Sequence, residues 1–397
     1  YTLAEKHNSN EEPSESEISL LIAALEDPDF NFEANLLQLM SKFSDKVPDK
    51  IFSSRLEHQS DKIRQIAANS VGSINLDSLD QTAIPKLIEM LKTPKPNVEA
   101  AVMSALAKIG NFKENDIPIE NFWEGLIEHN EMVRNAALEG YTKYIKENPK
   151  EIKLNSYISL LESKSDPAIQ TTLLNLIGRC WEKDVVLVYK ILVKFLKSED
   201  YDLQRVAKKY LIKMGLSSPE LIVKRLLVQK DTEGILKKRK VVQTLTKIGK
   251  EIPEKVFPLL FAALQSNDKS GTEKKEREQA KINASSVLSE LAEKNTGKIE
   301  IKPILETWLN EKSSKVKKNL SSVFSKVAKD KSKNLKRFMP LLLKGLSDQD
   351  NSVRLTISKM LVDIGKNVKN VIPLTAIKKM IAASEAFVRD TGYTLLG

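Results

Sequence analysis

The sequence predicts an all-α protein, a solenoid of about eleven stacked helical hairpins. The first observation is the composition, since only 14 Gly, 15 Pro and 6% aromatic residues occur among 397 residues. Such a composition disfavours a β-sandwich, a collagen-like chain and a Rossmann-type phosphate binder. The second observation is an apolar pattern that recurs about every 35 residues, a period typical of helical repeat proteins.

The second helix of each repeat shows this pattern most clearly. Segments that begin at Asn97, Met132 and Ser352 align, and each places apolar or small residues four, eight and eleven positions after a first branched apolar residue. Because an α-helix turns by about 100° per residue, these positions form one buried stripe. We call the first residue of the stripe the anchor. The anchors are Phe32, Ile63, Val98, Val133, Ile169, Leu203, Lys237, Ala280, Val316, Val353 and Val388. Lys237 and Ala280 are assigned by spacing and by the apolar stripes that follow them.

Another apolar helix precedes each anchor, for example over residues 84–91 and 257–264. Pro85, Pro303 and Pro340 each lie 13 residues before an anchor. Proline is tolerated near the start of a helix because the first N–H groups have no intrahelical partner. Short polar turns join the two helices, so each repeat is a helical hairpin. A hairpin cannot bury its apolar stripe alone, and neighbouring hairpins must therefore stack.

Three features of these hairpins resemble the HEAT repeat: a proline in the first helix, an acidic residue in the turn, and Val-Arg at the start of the second helix. The acidic turn residues are Glu128, Glu311 and Asp348, and the Val-Arg pairs are Val133-Arg134, Val353-Arg354 and Val388-Arg389. The resemblance covers residues 17–397, although Glu99 and Gln170 replace the Arg in two repeats.

The repeat pattern is similar to that of importin-β, adaptins, the scaffold subunit of protein phosphatase 2A, and accessory subunits of condensin and cohesin. This resemblance implies a right-handed superhelical solenoid, with first helices on its convex side and second helices on its concave side. It also implies a scaffold that binds a protein partner. A resemblance at this level supports an architecture more firmly than a function.

Two segments fall outside the repeats. Residues 1–16 are rich in Glu and too polar to pack, so we expect a disordered acidic tail. Residues 266–279 lengthen one repeat, and we expect a charged loop inserted between its two helices. This loop either binds a partner or is a solvated insertion, since surface loops tolerate added residues.

Charge is distributed unevenly along the chain. Residues 1–200 hold 23 Lys and Arg against 32 Asp and Glu, whereas residues 201–397 hold 40 against 21. The basic C-terminal half therefore predicts an acidic partner, which can be an acidic protein segment, nucleic acid or anionic lipid. The basic residues that we predict to bind it are Lys208, Lys209, Lys213, Lys237, Lys238, Arg239, Lys240, Lys247, Lys317, Lys318 and Lys326.

A basic residue also recurs ten positions after the anchor. It is found at Lys42, Lys108, Lys143, Arg179, Lys213, Lys247 and Lys326. In stacked helices these side chains form a ladder that can follow phosphates or an acidic peptide. The alternative, which we favour, is that each cation interacts with the C-terminal dipole of a helix, an effect of about 0.3–1 kcal/mol.

Residues capable of catalysis or metal binding do not cluster in the sequence. His7, His58 and His129 lie far apart, and no phosphate-binding or nucleophile-elbow motif occurs. Cys180 is the only cysteine, which excludes an internal disulfide, and we interpret it as a structural or partly exposed thiol rather than a nucleophile. We expect no enzyme activity, no metal and no cofactor.

The tryptophans raise one further alternative, because some HEAT-like DNA glycosylases resemble a basic solenoid with an aromatic cleft and a catalytic Asp. Trp123 and Trp308 lie in apolar first helices, where core packing explains them, and no Asp recurs beside a Trp. The leading hypothesis is a non-enzymatic protein-interaction scaffold. Binding to a nucleic-acid backbone, as in chromosome-associated HEAT subunits, is the first alternative, and a glycosylase-like enzyme is the second.

No apolar run approaches the length of about 18–20 residues that a membrane span needs. The sequence starts at Tyr1 without a charged and then apolar leader, so we expect no signal peptide. A single thiol fits a reducing compartment. We therefore expect a soluble, intracellular protein of the cytoplasm.

Overall fold

The computed structural model describes residues 13–44, 46–74, 79–80, 82–92, 95–229, 240–266, 271–293, 295, 297, 299, 301–328, 335–367 and 371–396. These residues contain helices and turns, and no strand occurs among them. The all-α prediction is therefore confirmed.

The α-helices follow one another in the order that the repeat predicts, usually a shorter first helix and then a longer second helix. They are α1 (Glu15–Ala23), α2 (Phe30–Met40), α3 (Asp49–Ser53), α4 (Asp61–Val71), α5 (Ala83–Met90), α6 (Pro96–Ile109), α7 (Ile119–Gly125), α8 (Glu131–Glu147), α9 (Leu154–Ser163), α10 (Pro167–Arg179), α11 (Val185–Leu196), α12 (Tyr201–Ser217), α13 (Pro219–Leu227), α14 (Lys240–Glu251), α15 (Pro253–Gln265), α16 (Gly271–Leu291), α17 (Ile301–Asn310), α18 (Ser314–Ala328), α19 (Leu335–Lys344), α20 (Asn351–Asn367), α21 (Leu374–Ile381) and α22 (Ala386–Leu396).

The chain forms two compact units. Unit 1 comprises Tyr1–Val188 with Asp200–Val206, and unit 2 comprises Tyr189–Glu199 with Ala207–Gly397. In unit 1 the second helices α2, α4, α6, α8 and α10 pack in sequence, each against the next. In unit 2 the same holds for α14, α16, α18, α20 and α22. Each unit is therefore a stack of hairpins with its core between consecutive second helices and under the first helices.

The predicted anchors mark this core. Val98, Val133 and Val353 are buried, and so are the residues four, eight and eleven positions after each of them. Phe32 is the exception, because it is 44% exposed while Ala34 two residues later is fully buried. The buried face of α2 contains Ala34, Leu37 and Met40 and does not include Phe32, so this anchor was wrong. Every other predicted anchor among the described residues is buried. The anchor Lys237 lies outside the described residues.

The arginine after the anchor closes the turn between the two helices of a hairpin. Arg134 Nη1 donates to the carbonyl oxygens of Glu128 and His129, at 2.7 Å and 2.6 Å. The same paired hydrogen bonds recur at Arg64, Arg354 and Arg389. These carbonyls lie just beyond the first helix, where they have no partner inside it, and the guanidinium supplies one.

The two departures from this arginine behave differently. Gln170 retains a donor, and its Nε2 lies 2.7 Å from the carbonyl oxygen of Lys164. Glu99 has no donor to offer. Its pKa is raised, first by burial and then by the negative charge of Glu128. The arginine is thus a structural residue of the HEAT-like motif, and a neutral amide can replace it.

The two irregular segments differ from the sequence prediction. Helix α1 begins at Glu15, where the side chain of Ser14 accepts from the N–H of Glu17 and the Glu17 carboxylate accepts from the N–H of Ser14. Residues 15–16 of the predicted tail are therefore helical, and residues 1–12 lie outside the described residues. The loop predicted over residues 266–279 is wrong from Gly271 onward, because α16 already begins there. Its Glu, Lys, Arg and Gln side chains are good helix formers, so the added residues lengthen the second helix.

Close contact between second helices predicts a stability effect at Gly72, which follows α4. A Cβ atom on this residue would lie 2.6 Å from the backbone Cα of Ala105 in α6, so the two helices would have to move apart. We expect Gly72→Ala to lower the free energy of unfolding by about 1–3 kcal/mol in urea denaturation. Gly297→Ala is the control, because nothing lies within 4 Å of its added Cβ. Equal stability of the two variants would contradict this packing.

Candidate functional site

The predicted basic residues do not share one environment. Lys209, Lys213, Lys247 and Lys318 are exposed, whereas Lys208, Lys240, Lys317 and Lys326 are partly buried. Lys237, Lys238 and Arg239 lie outside the described residues. The ammonium groups of these lysines therefore differ in how accessible they are to a partner.

Three of the partly buried lysines use their ammonium groups inside the fold. Lys326 Nζ donates to the carbonyl oxygen of Ser289 at 2.5 Å, and Lys240 Nζ donates to that of Ser198 at 3.1 Å. Lys317 forms an ion pair with Asp348, and each side chain is only 14% exposed. Each of these lysines has a polar partner about 30–40 residues away in sequence, which the stacking of repeats brings beside it. Their binding to a partner stays a prediction.

Two of the cations ten positions after the anchor, Lys143 and Arg179, form hydrogen bonds within the fold. Lys143 Nζ donates to the carbonyl oxygen of Lys108 at 2.8 Å, at the end of the preceding second helix. Arg179 Nη1 donates to Thr142 Oγ1 at 2.8 Å. A cation beside the C-terminal turn of a helix stabilises its carbonyl groups. The Lys143 contact supports the helix-dipole interpretation over a track for phosphates, whereas Arg179 binds a side-chain hydroxyl within α8.

Ion pairs between consecutive repeats account for a further group of charges. Lys281 Nζ lies 3.3 Å from a carboxylate oxygen of Glu311, and Arg354 Nε lies 3.5 Å from Glu385. Lys317 and Asp348 form the same type of pair. In each case the residue after one anchor meets the acidic turn residue of the next repeat. The acidic turn residue of the motif thus has a structural partner.

A cleft of about 610 Å³ lies in unit 2, between α16 and the turn that precedes α18. Its volume is within the range of about 300–1,000 Å³ that small-molecule binding sites have. Its lining contains four cations and two carboxylates. The lining residues are Ser266, Lys274, Arg277, Glu278, Lys281, Ile282, Asn310, Glu311, Lys312, Ser313 and Val316. Lys274, Arg277 and Lys281 reach the cleft together because residues three and four apart share one face of a helix. We call this cleft the basic cleft.

Glu311 shows what the basic cleft can hold. Its Oε1 accepts from the backbone N–H groups of Lys312 and Ser313, at 2.8 Å and 3.0 Å. Its Oε2 lies 3.3 Å from Lys281 Nζ, and the side chain is only 11% exposed. A carboxylate is thus bound by main-chain donors and a lysine at the start of a helix, where the dipole favours negative charge. The donors at this position of the cleft are thus arranged as an anion would need them, and here they hold the protein's own carboxylate.

Sequence reasoning missed Lys274 and Arg277, because it assigned both to a loop. The spacing of residues 274, 277 and 281 was the available signal, since it defines one face once the segment is helical. Lys312 carried a signal as well, because it lies in the turn directly before the anchor Val316.

The residues considered for catalysis lie apart or are buried. Cys180 is 4% exposed, and burial raises the pKa of its thiol to about 11, so it is not an activated nucleophile. No cluster of three or more His, Cys, Asp or Glu side chains suited to a metal occurs in the described part of the chain. Trp308 is buried and donates to Ser321 Oγ at 3.1 Å, as core packing predicts. Trp123 differs, because it is partly exposed.

Among the described helices, none is both long and apolar enough to span a membrane.

Comparisons with known proteins agree with the repeat architecture. Residues 49–142 match HEAT repeats. The whole chain superimposes on Kap121p bound to Pho4p with a TM-score of 0.55 at 18% identity, and it covers 47% of that chain. For Kap121p bound to Nup53p the TM-score is 0.55 at 18% identity, again with 100% of this chain and 47% of the other covered. For the karyopherin Kap121p bound to the extreme C-terminus of the protein phosphatase Cdc14p, the values are 0.54, 18%, 100% and 47%.

The chain therefore spans about half the length of these karyopherins. A search of curated proteins gives no significant match. The resemblance to HEAT-repeat proteins and the α-solenoid fold class are confirmed. The number of hairpins and the handedness of the superhelix stay predictions.

The contacts of Lys326 predict that it acts on stability. We expect Lys326→Met to lower the free energy of unfolding by about 1–3 kcal/mol, because the carbonyl of Ser289 loses a charged donor. The control is Lys318→Met in the same helix, where an exposed side chain changes stability by less than about 0.5 kcal/mol. Urea denaturation compares the two variants. Equal effects would show that the Lys326 contact contributes nothing to the fold.

Proposed function

We propose that the chain is a non-catalytic scaffold that binds a protein partner, and that the basic cleft of unit 2 holds an acidic segment of this partner. The observation that carries the proposal is the bound carboxylate of Glu311, which two main-chain N–H groups and Lys281 surround. Lys274 and Lys312 line the same cleft and are both exposed, so they can bind a carboxylate of the partner.

The charge of the surrounding surface supports this choice of partner. Residues 201–397 hold 40 Lys and Arg against 21 Asp and Glu. Lys208, Lys209, Lys213, Lys247 and Lys318 keep their predicted role of attracting the partner, whereas Lys240, Lys317 and Lys326 stabilise the fold. Exposed charges of one sign mainly raise the rate of association, and the cleft then fixes the register.

The structural comparisons favour a protein over a nucleic acid as the partner. The solved Kap121p structures with this fold hold Pho4p, Nup53p and the C-terminus of Cdc14p. Binding to a nucleic-acid backbone and a glycosylase activity gain no support from these comparisons. A location inside the cell belongs to the proposal as well.

The test uses a fluorescein-labelled peptide of eight glutamates, with binding followed by fluorescence anisotropy. We expect the paired charge reversals Lys274→Glu and Lys312→Glu to weaken binding at least tenfold. The matched control is Lys344→Glu with Lys366→Glu, which changes the net charge of unit 2 equally at two exposed positions away from the cleft.

The control variant separates the cleft from the general charge. Equal weakening by both pairs would show non-specific attraction and contradict a site at the basic cleft. A labelled DNA strand of 20 nucleotides provides the other comparison. If it binds more tightly than the peptide and its affinity falls steeply with salt, the partner is a nucleic acid and the proposal is wrong.

A further inference from the structure

Unit 1 contains a second cleft, of about 430 Å³, where α7, α8 and α9 meet. It differs from the basic cleft because aromatic rings form much of its lining. The lining residues are Ile119, Glu120, Trp123, Tyr141, Tyr144, Glu151, Lys153, Ser156 and Tyr157. We call it the aromatic cleft. It lies in the part of the chain where acidic residues outnumber basic ones, with 32 against 23 over residues 1–200.

The rings form a connected wall. The Trp123 centroid lies 5.5 Å from that of Tyr141 and 5.6 Å from that of Tyr157, and the Tyr141 and Tyr157 centroids are 6.0 Å apart. Tyr144 continues the wall, with its centroid 6.0 Å from that of Tyr141. The three tyrosines are buried, whereas Trp123 is partly exposed. The indole is therefore the ring best placed to meet a ligand.

Two carboxylates and two lysines set the charge at the aromatic cleft. Glu120 is exposed at the start of α7, and Glu151 is partly buried between α8 and α9. Glu151 accepts from the Tyr144 hydroxyl and lies 2.5 Å from Lys113 Nζ, while Lys153 is the one cation in the lining. Hydrogen bonds from Lys113 and Tyr144 lower the pKa of Glu151, so the carboxylate stays ionised at neutral pH. Burial and the bond to Glu151 raise the pKa of Tyr144 to about 12, so that phenol stays neutral.

We propose that the aromatic cleft receives the ammonium group of a lysine side chain from a basic segment of a bound polypeptide. A cation over an aromatic face is attracted by the negative charge of the ring, and tryptophan provides the strongest such attraction. Glu120 is exposed in the lining of the cleft and supplies the opposite charge. The volume of about 430 Å³ lies within the range of about 300–1,000 Å³ that ligand pockets have, so it has room for a lysine side chain whose four-carbon stem packs on the rings.

This inference does not rest on the proposed function, because it uses the other unit and a partner segment of opposite charge. An apolar side chain is the competing occupant of an aromatic cleft. The difference between the two is the charge of the ligand, so the experiment keeps the shape of the ligand and removes its charge.

The probe is a hexapeptide of Gly and Ser residues with one trimethyllysine, compared with a peptide in which carbon replaces the quaternary nitrogen. Isothermal titration calorimetry of the full chain measures both dissociation constants. We expect the neutral peptide to bind at least tenfold more weakly than the cation. A peptide with unmodified lysine should bind as well, with an affinity that Glu120→Gln weakens at least threefold.

Variants at the wall and at the rim complete the test. We expect Trp123→Leu to weaken binding of the trimethyllysine peptide at least tenfold, and Trp123→Phe to retain part of the affinity. Glu124→Gln is the matched control for Glu120→Gln, because Glu124 is exposed on the same helix and does not line the cleft. It should change the affinity by less than twofold.

Each opposing result overturns the proposal. Equal binding of the charged and neutral peptides would identify an apolar site. Absence of binding by the lysine and trimethyllysine peptides up to millimolar concentration would exclude an ammonium site, provided that circular dichroism shows the unchanged helical fold. Equal effects of Glu120→Gln and Glu124→Gln would exclude the rim carboxylate from recognition.

Discussion

A helical hairpin of this size exposes one apolar stripe that it cannot cover itself, and the structure follows from that constraint. The second helix of each repeat must lie against the second helix of the next, so apolar side chains such as Leu106 and Leu361 are fully buried between them. At some close contacts an added Cβ atom would not fit without a shift, as at Gly72 against Ala105. Burial of this kind connects neighbours in the chain and creates the core of each unit repeat by repeat.

Stacking also decides what the polar residues do. The ends of the helices bring unpaired carbonyl groups to the edges of the stack, and long cationic side chains from the next turn or the next repeat reach them. Arg134, Lys143 and Lys326 all act in this way. A basic side chain in such a protein is therefore a structural residue as readily as a binding residue. The clefts that remain are places where charged or aromatic side chains meet without covering one another, as around Glu311 and Trp123.

The sequence predicted the fold more completely than the candidate sites. Helical periodicity is a local property, and it identified the hairpins and the buried anchors apart from Phe32. The ion pair of Lys317 is with Asp348, 31 residues away, and only the register between repeats brings the two side chains together. The basic cleft could not be predicted from the sequence, because residues 271–279 were expected to form a loop. They belong to a helix, and only in a helix do Lys274 and Arg277 share one face. Trp123 lies in an apolar segment like Trp308, and the sequence does not distinguish a partly exposed ring from a buried one.

Hydrogen exchange of the amide groups in a Leu106→Ala variant tests the repeat-by-repeat account most directly. Leu106 is fully buried in α6, and its truncation should destabilise this region by about 2–5 kcal/mol. Because each repeat contacts only its neighbours, exchange should accelerate over residues 82–146 and remain unchanged over residues 371–396. Equal acceleration along the whole chain would show a single cooperative domain and contradict a stack held together by nearest-neighbour contacts.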